Sequence, residues 1–267
     1  MKYKYKIGFI GCGNMASAMI GGIVKRNILK PQEIIASNRS QEKLTSIQKE
    51  CGIDVTTNNL LVAEEARMIV LAVKPMFYED VIKEIKKVVK KSQIIITIAP
   101  GIDMDRIGYL FGQEMKIVRT MPNTPAMVCA GMTAACCNEA VEEDEIAEVC
   151  RIFDGFGKTE LIPERLMDAV VAVSGSSPAY IYMLIEAMAD AAVAEGMQRA
   201  QAYRFAAQAV LGSAKMVLET GKHPGELKDM VCSPGGTTIA AVMELERTGF
   251  RSAVMEAMKV CADKCRD

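Results

Sequence analysis

Short apolar runs alternate with helical patterns from the start of the chain to about residue 160. Each run is nearly continuous in apolar residues, which is typical of strands that are buried on both faces of a sheet. Because helices separate the runs, we predict a parallel sheet with crossover connections. Two later runs, "GMTAACC" and "GKTELI", are expected to add strands at its edge. The clearest strands are "KIGFIG", "EIIAS", "MIVLAV", "QIIITIA" and "KIVRTM".

The character of the sequence changes after Pro163, where almost every stretch has helical spacing and good helix-forming residues. The segment "SPAYIYMLIEAMADAAVAEGM" is expected to form the longest helix, and it is apolar around most of its circumference. Such a helix must be buried, yet a helical domain of this size offers little depth in which to bury it. We therefore predict an α/β domain over residues 1–162, a helical domain over 163–267, and burial of helices between two subunits.

The overall composition excludes several classes of protein. The net charge of −1 over 267 residues provides no positive field for nucleic acid. No apolar run approaches the ~18 residues of a membrane span, and the first strand pattern begins too early for a signal peptide. Nine cysteines without a Cys-x-x-Cys pair, together with a single histidine, indicate reduced thiols in a cytoplasmic protein and no metal site.

A glycine-rich turn follows the first strand and opens an apolar helix. It reads Gly11-Cys12-Gly13-Asn14-Met15-Ala16, the G-x-G-x-x-A form of the dinucleotide fingerprint. The first glycine permits a tight turn, and the second lets the backbone approach a pyrophosphate. The helix N-terminus then supplies free amides and a favourable dipole. The turn therefore predicts a dinucleotide site, with a purely structural glycine turn as the alternative.

The end of the second strand indicates which dinucleotide is bound. An acidic residue at this position would accept hydrogen bonds from the ribose of NAD, but the chain has Ser37, Asn38 and Arg39 there. Hydroxyl, amide and guanidinium groups can bind a 2′-phosphate, whereas a carboxylate would repel it. We therefore expect NADPH, with NADH possible. Arg39 as an ordinary surface residue is the alternative.

Two further segments lie where strands are expected to end. "AVKP" spans Ala72, Val73, Lys74 and Pro75, and "MPNTP" contains Asn123. Ligands of doubly wound sheets bind beyond the carboxyl ends of the strands, so both segments fall at the expected edge. Each proline would also stiffen a turn without any ligand. The side chain of Asn123 could bond a nicotinamide or cap the next segment.

The stretch "CSPGGTT" places two glycines and two threonines at a predicted helix start. Gly235 and Gly236 allow a ligand to lie against the backbone, and free amides at a helix N-terminus suit a carboxylate. Thr237 and Thr238 add hydroxyls. An N-capping turn made by Ser233 or the threonines, without a ligand, is the alternative.

These segments together resemble one family, the pyrroline-5-carboxylate reductases of proline biosynthesis. The resemblance spans essentially the whole chain, and it is most specific in "HPGELKDMVCSPGGTTIAAVMELE". It implies reduction of 1-pyrroline-5-carboxylate to L-proline with NADPH or NADH. It also implies a Rossmann-like domain followed by a helical dimerisation domain, with dimers that often assemble into decamers. One departure is Ser177, where many members have glycine.

The resemblance also implies roles for individual residues. Thr238 would hydrogen-bond the ring nitrogen of the substrate and orient or protonate the imine. Gly236 and Thr237 would contact the substrate carboxylate through their amides, beside Ser233. Glu164 is a further candidate for the substrate site, although a surface carboxylate is the common case. The expected cofactor-binding residues are Gly11, Cys12, Gly13, Asn14, Met15, Ser37, Asn38, Arg39, Asn58, Ala72, Val73, Lys74, Pro75 and Asn123.

Three alternative functions compete with this interpretation. A hydroxyacid or 6-phosphogluconate-type dehydrogenase would need a lysine, with an asparagine four residues before it, in "SGSSPAYIYMLIEAM", which contains neither. A reductase of another cyclic imine is closer in mechanism and harder to exclude. A non-catalytic NADPH-binding sensor could keep the glycine loop, but the intact "SPGGTT" stretch argues against it.

Overall fold

The computed structural model describes residues 3–265, which separate into two compact units. One unit extends to Ser176 and includes the residues from Ala262 onward, and the other is Ser177–Cys261. The dinucleotide-binding domain predicted from the sequence was expected to end earlier, at residue 162. The 3₁₀ turn Glu164–Leu166, the short helix Met167–Val170 and the π-helical turn Val171–Gly175 all lie in the first unit.

The first unit is built on an eight-stranded sheet within the described residues. Its strand order is β3-β2-β1-β4-β5-β6-β7-β8, which contains the 3-2-1-4-5-6 order of dinucleotide-binding folds. The strands are β1 Tyr5–Ile10, β2 Ile34–Ser37, β3 Asp54–Thr56, β4 Ala66–Leu71, β5 Ile94–Thr97, β6 Lys116–Met121, β7 Gly131–Cys137 and β8 Gly157–Leu161.

Two features of this sheet differ from the prediction. Strand β7 runs antiparallel to β6, so the sheet is mixed rather than wholly parallel. The connection between them holds only the 3₁₀ turn Thr124–Val128, and an antiparallel pair needs no longer crossover. Strand β3 was not predicted, because its three residues lie at the sheet edge and are exposed or half-buried.

Helices cover both faces of the sheet, which explains why the strands are apolar almost throughout. One cluster of buried side chains joins the sheet to α1, α2 and α6, and a second joins it to α3, α4 and α5. The helices of this unit are α1 Asn14–Lys25, α2 Gln41–Cys51, α3 Asn59–Glu65, α4 Tyr78–Ile85, α5 Met104–Phe111, α6 Glu143–Phe153 and α7 Met167–Val170.

The second unit is entirely helical in its described residues, as predicted. Its longest helix is α9 with 22 residues, so the prediction that the segment from Ser177 would be the longest is wrong; α8 has 18. Only Ala189, Ala202 and Ala206 are buried among residues 177–261. The helices are α8 Ser177–Ala194, α9 Arg199–Thr220, α10 Pro224–Met230, α11 Thr237–Arg247 and α12 Phe250–Lys264.

One helical stretch, Glu164–Ala194, has the length and composition of a membrane span, with a mean hydropathy of 1.2 over its most apolar window. The sequence prediction expected no such stretch. Isolated charged residues interrupt the apolar run in the sequence, but they change the mean hydropathy of the window only slightly. Only 11% of that window is buried in the single chain.

Candidate active site

The glycine turn between β1 and α1 has the geometry that its sequence predicts. Gly11 has φ +95°, and a Cβ there would lie 2.7 Å from the carbonyl oxygen of Ala72. Residues other than glycine would clash at this position and rarely adopt this backbone angle. At Gly13, by contrast, a Cβ would meet no heavy atom within 4 Å. The backbone at Gly13 therefore borders open space.

Helix α1 begins at Asn14 without a side-chain cap on its N-terminal amides. Its first turn contains no acidic residue, so the positive end of the helix is not neutralised locally. A cavity of about 490 Å³ borders this turn, and Gly13, Asn14, Met15 and Ala16 line it. An uncapped helix end facing a cavity is suited to hold a pyrophosphate.

The same cavity extends along the carboxyl ends of the strands. Ala72, Val73, Lys74 and Pro75 line it after β4, as the sequence predicted for this edge. The remaining lining residues are Lys43, Ile98, Ala99, Pro100, Met121, Pro122, Asn123, Thr124 and Gly175. Among the described residues that line the cavity, none is an aspartate or a glutamate. The charge of the lining therefore favours an anionic ligand.

Lys43 is a cavity residue that the sequence reasoning missed. It is the third residue of α2, and in the part of the chain that the structure describes neither Lys43 nor Lys74 pairs with a carboxylate. A usable signal was present, because crossover helices of a parallel sheet begin at the edge where the strands end. On that basis, a lysine in the first turn of the helix that follows the second strand could have been placed at the cavity.

Cys12 fills space within the glycine loop. It is buried, and its Sγ lies 3.7 Å from the Oγ of Ser17. Burial raises the pKa of the Cys12 thiol, an effect that the Ser17 contact and Lys43 partly oppose. Its side chain therefore acts as a neutral packing group. A ligand at this position would contact the backbone of Cys12 rather than its thiol.

The three residues after β2 lie in different environments. Ser37 is fully buried, and its hydroxyl donates to the Oδ1 of Asn59 at 2.7 Å. Asn38 is half-buried and donates its Nδ2 to the carbonyl oxygen of Cys12 at 2.8 Å. Arg39 is exposed, and its guanidinium carbon lies 4.6 Å from the centroid of the Phe77 ring. Of the three residues, Arg39 alone is exposed, and its positive charge lies at the surface.

Asn58 and Asn123 both use their side chains within the protein. The Oδ1 of Asn58 accepts the amide of Leu60 at 2.9 Å and caps α3. The Nδ2 of Asn123 donates to the Ser174 carbonyl at 3.0 Å, and its Oδ1 accepts the Met132 amide at 2.9 Å. Asn123 therefore lines the cavity while it fixes a residue of the π-helical turn.

Glu164 is part of an ion cluster in the sheet-bearing unit. Its Oε1 lies 3.1 Å from the Nη1 of Arg119, a residue that is 7% exposed, and accepts the Met104 amide at 2.9 Å. Asp168 lies 4.0 Å from the Nη2 of Arg119. The carboxylate of Glu164 therefore joins β6 to the start of α5, rather than lying free at the surface.

In the helical unit, a turn ending at Gly236 precedes α11. The Gly236 amide donates to the Ser233 carbonyl at 3.0 Å, and Gly235 has φ +67°, a conformation that glycine adopts readily. Pro234 lies in this turn, before the start of the helix. A Cβ at Gly236 would lie 2.4 Å from the Oγ of Ser233. A larger residue at position 236 would therefore require the Ser233 hydroxyl to shift.

The start of α11 is open in this chain. Gly236 is the N-cap residue, and no side chain caps the helix. Thr237 and Thr238 are exposed, and neither hydroxyl forms a hydrogen bond within the described residues. An N-capping turn made by Ser233 or the threonines, the alternative considered above, is therefore absent here. The arrangement leaves amides and hydroxyls free to bind a small anion.

The single histidine, His223, caps α10 by accepting the Gly225 amide at 3.0 Å. Among residues 3–265, no group of three His, Cys, Asp or Glu side chains is arranged to hold a metal ion. All nine cysteines are free thiols.

Two family models match the chain. The model described as pyrroline-5-carboxylate reductase dimerisation matches residues 164–267, and the model described as NADP oxidoreductase, coenzyme F420-dependent, matches residues 6–101. Together these matches fall on the helical region and on the glycine loop with the strands around it.

Relatives that match over almost the whole chain are pyrroline-5-carboxylate reductases. The pyrroline-5-carboxylate reductase of Escherichia coli (strain K12) is 52% identical over 97% of this chain and 96% of that protein. A solved structure of a pyrroline-5-carboxylate reductase from Coxiella burnetii is 35% identical, with a TM-score of 0.92 over 98% of each chain. The Plasmodium falciparum pyrroline carboxylate reductase, solved with NADP bound, is 33% identical, with a TM-score of 0.89 over 100% of this chain and 98% of that one.

Proposed function

The chain belongs to the pyrroline-5-carboxylate reductase family, and from this premise we propose how its residues support the reaction. The protein is an oxidoreductase that reduces the cyclic imine L-1-pyrroline-5-carboxylate to L-proline with NAD(P)H. The observation that carries this function is 52% identity to a named reductase across 97% of the chain. The reaction adds a hydride to the imine carbon and leaves the ring nitrogen with a proton.

NADPH fits the cavity beside the glycine turn. The open space above Gly13, the uncapped start of α1 and the two unpaired lysines, Lys43 and Lys74, suit its phosphates. When bound, NADPH supplies the hydride. We assign its binding to the backbone of residues 11–15, to the segment from Ala72 to Pro75, and to Asn38, Arg39, Asn58 and Asn123. Ser37 belongs to the same strand end, although its hydroxyl is engaged by Asn59.

NADPH is the expected cofactor over NADH because of the strand end after β2. The chain has no carboxylate among Ser37, Asn38 and Arg39 to bind a free ribose hydroxyl. Arg39 is exposed, and a guanidinium can form a bidentate contact with a phosphate. Replacement of Arg39 by alanine should therefore weaken the binding of NADPH more than that of NADH.

We assign the substrate to the start of α11. The amides of Gly236 and Thr237 at the uncapped helix end suit its carboxylate, with Ser233 beside them. The Thr238 hydroxyl would hydrogen-bond the ring nitrogen and donate or orient the proton that the nitrogen receives. A cyclic imine is protonated far more readily than a ketone near neutral pH, so a histidine is not required.

The assignment of Glu164 to the substrate site stays a prediction. Its carboxylate is held by Arg119 and by the Met104 amide, so a substrate contact would compete with these interactions. These interactions also support a structural role, in which the carboxylate holds the start of α5 against β6.

The chain self-associates through its helical region, which the dimerisation family model covers. We propose that the unit of association is a homodimer formed by the C-terminal helices, and that dimers assemble further into a decamer. The apolar side chains that α8 and α9 expose in the single chain support the dimer. We also propose a cytoplasmic location, which the nine free thiols support, and partners limited to the small-molecule substrate and further copies of this chain.

The test of the function is NADPH oxidation by the purified protein in the presence of pyrroline-5-carboxylate, with identification of the product. We expect rapid turnover and L-proline as the product. Tight NADPH binding without turnover would favour another cyclic imine as substrate or the sensor interpretation. Turnover with a hydroxyacid and NADP instead would point to the dehydrogenase alternative.

A further inference from the structure

Arg39 and Phe77 form a pair whose cation has no acidic partner. The guanidinium carbon lies 4.6 Å from the ring centroid, within the range of a cation–π interaction. In the part of the chain that the structure describes, Arg39 forms no ion pair with a carboxylate. The aromatic ring is therefore the group that holds this exposed cation, and the charge is left available to an anion.

Both residues come from loops at the carboxyl edge of the sheet, where the dinucleotide cavity lies. Arg39 follows β2, and its neighbour Asn38 is bonded to the Cys12 carbonyl in the glycine loop. Phe77 ends the 3₁₀ turn Pro75–Phe77, which starts at the cavity-lining residue Pro75. The pair thus connects the loop after β2 to the loop after β4.

Contact with the ring has a physical consequence for the guanidinium. An exposed arginine loses rotamer entropy when it is fixed by a ligand. A side chain already restricted by an aromatic ring loses less, and stacking leaves donors of the planar group free for a phosphate. A ribose hydroxyl without a phosphate would gain much less from a prepositioned cation.

We propose that Phe77 is a positioning residue that determines cofactor specificity, because it holds the Arg39 guanidinium ready for the 2′-phosphate of NADPH. This inference rests on the proposed function of Arg39 in cofactor binding. It assigns to Phe77 no contact with the hydride or with the imine. Its effect is confined to the dinucleotide that carries the extra phosphate.

The test compares Phe77→Leu, which keeps an apolar side chain and removes the ring, with Phe77→Tyr, which keeps a ring. A cation–π contact at an exposed site contributes about 0.5–1 kcal/mol, which corresponds to about a 2- to 5-fold change in affinity. We expect Phe77→Leu to raise the KM for NADPH by this factor and the KM for NADH by less than it. Phe77→Tyr should restore the KM for NADPH.

Met76 supplies a matched control, since it precedes Phe77 in the same turn and is 73% exposed. Met76→Ala should leave the ratio of the two KM values unchanged. An equal rise in both KM values for Phe77→Leu would mean that the ring only supports the loop, and it would overturn the inference.

Variants of Arg39 separate this inference from the proposed function. If Arg39→Ala lowers NADPH selectivity and Phe77→Leu does not, only the role of Phe77 is wrong. If Arg39→Ala itself leaves selectivity unchanged, the assignment of Arg39 to the 2′-phosphate fails as well. In the double variant Arg39→Ala/Phe77→Leu, we expect no further loss beyond that of Arg39→Ala, because the ring acts through the guanidinium. An additive loss would contradict the inference.

Discussion

The sheet-bearing unit and the helical unit bury very different amounts of apolar surface. The strands and their flanking helices enclose two large clusters of buried side chains, one on each face of the sheet. In residues 177–261, by contrast, the buried side chains are three alanines, whereas large residues such as Tyr182, Met183 and Phe205 are exposed. The first unit has a core of its own within one chain, and the second does not.

This difference indicates that the two units obtain their stability in different ways. Large apolar side chains that are exposed in one chain are typical of an interaction surface, and the match to a dimerisation family model covers the region where they lie. We infer that the helical unit completes its core by association, whereas the sheet-bearing unit is complete alone. The same division applies to the proposed chemistry: the cavity proposed for the dinucleotide lies in the first unit, and the proposed substrate groups lie in the second.

The largest expected effect concerns that chemical division. Thr238→Ala should lower kcat by about 100-fold or more, because the hydroxyl proposed to serve the ring nitrogen is lost. The Kd for NADPH should change by less than twofold, since the cavity residues belong to the other unit. Steady-state kinetics and a fluorescence titration with NADPH measure the two quantities.

Thr238→Ser is the conservative control, because it keeps the hydroxyl, and it should retain most of the activity. Loss of NADPH binding in Thr238→Ala would show that the two functions are not divided in this way. Unchanged turnover would remove Thr238 from the reaction.

The next prediction compares two methionines, one in each unit, that are both 68% exposed in the single chain. They are Met183 on α8 and Met127 in the 3₁₀ turn after β6. Burial of one such side chain contributes about 1.5–3 kcal/mol, so Met183→Glu should raise the dissociation constant of the oligomer by about 10- to 100-fold. Met127→Glu should leave it unchanged. Sedimentation at several concentrations measures both.

An equal effect of the two variants on the dissociation constant would contradict the proposed difference between the units. If neither changes the oligomer, the exposed face of α8 is not the one that associates. If both do, the sheet-bearing unit contributes to association as well.

A smaller effect is expected at Glu164. Glu164→Ala leaves the buried Arg119 without its nearest carboxylate and the Met104 amide without its acceptor, so it should lower the free energy of unfolding by about 1–3 kcal/mol. Glu164→Gln keeps an acceptor and should lower it less. Chemical denaturation measures the loss. A higher KM for pyrroline-5-carboxylate with unchanged stability would instead assign Glu164 to the substrate.

The smallest effect is a loss of stability in alkali that arises in the sheet-bearing unit. Burial raises the pKa of Tyr78 from 10.0 to about 12, while its hydroxyl donates to the Leu71 carbonyl at 2.6 Å. Since the folded state keeps a proton that the unfolded chain loses, this contribution is complete below pH 10 and is lost as the pH rises toward 12. At pH 11 the loss is about 1 kcal/mol.

Tyr78→Phe tests the origin of this pH dependence. The variant loses the hydrogen bonds of the hydroxyl at every pH, so its overall stability should be lower. Its unfolding free energy should nevertheless fall less steeply between pH 10 and 12 than that of the unmodified protein. An identical slope would show that Tyr78 does not titrate in this way.

Patterns in the sequence predicted most of the sheet, because strands buried on both faces are continuous in apolar residues. They did not reveal β3, which is short and half-exposed, or the antiparallel direction of β7, because residue type does not encode strand direction. At the cavity, the glycine turn and the segment from Ala72 to Pro75 lie where they were expected.

The sequence patterns did not predict how individual side chains are oriented. The burial of the Ser37 hydroxyl against Asn59 depends on how α3 packs beside β2. The position of Lys43 at the cavity depends on where α2 begins. Two glycines suggested that the start of α11 is free. Only the structure shows that Ser233 does not cap it.

The measurement that tests the central claim most directly is the mass in solution of the unmodified protein, by sedimentation across a range of concentrations. The account predicts a species of two chains or more that persists at the concentrations used for activity assays. A single chain that is fully active and stably folded at those concentrations would contradict it, because the helical unit would then have no partner with which to complete its core.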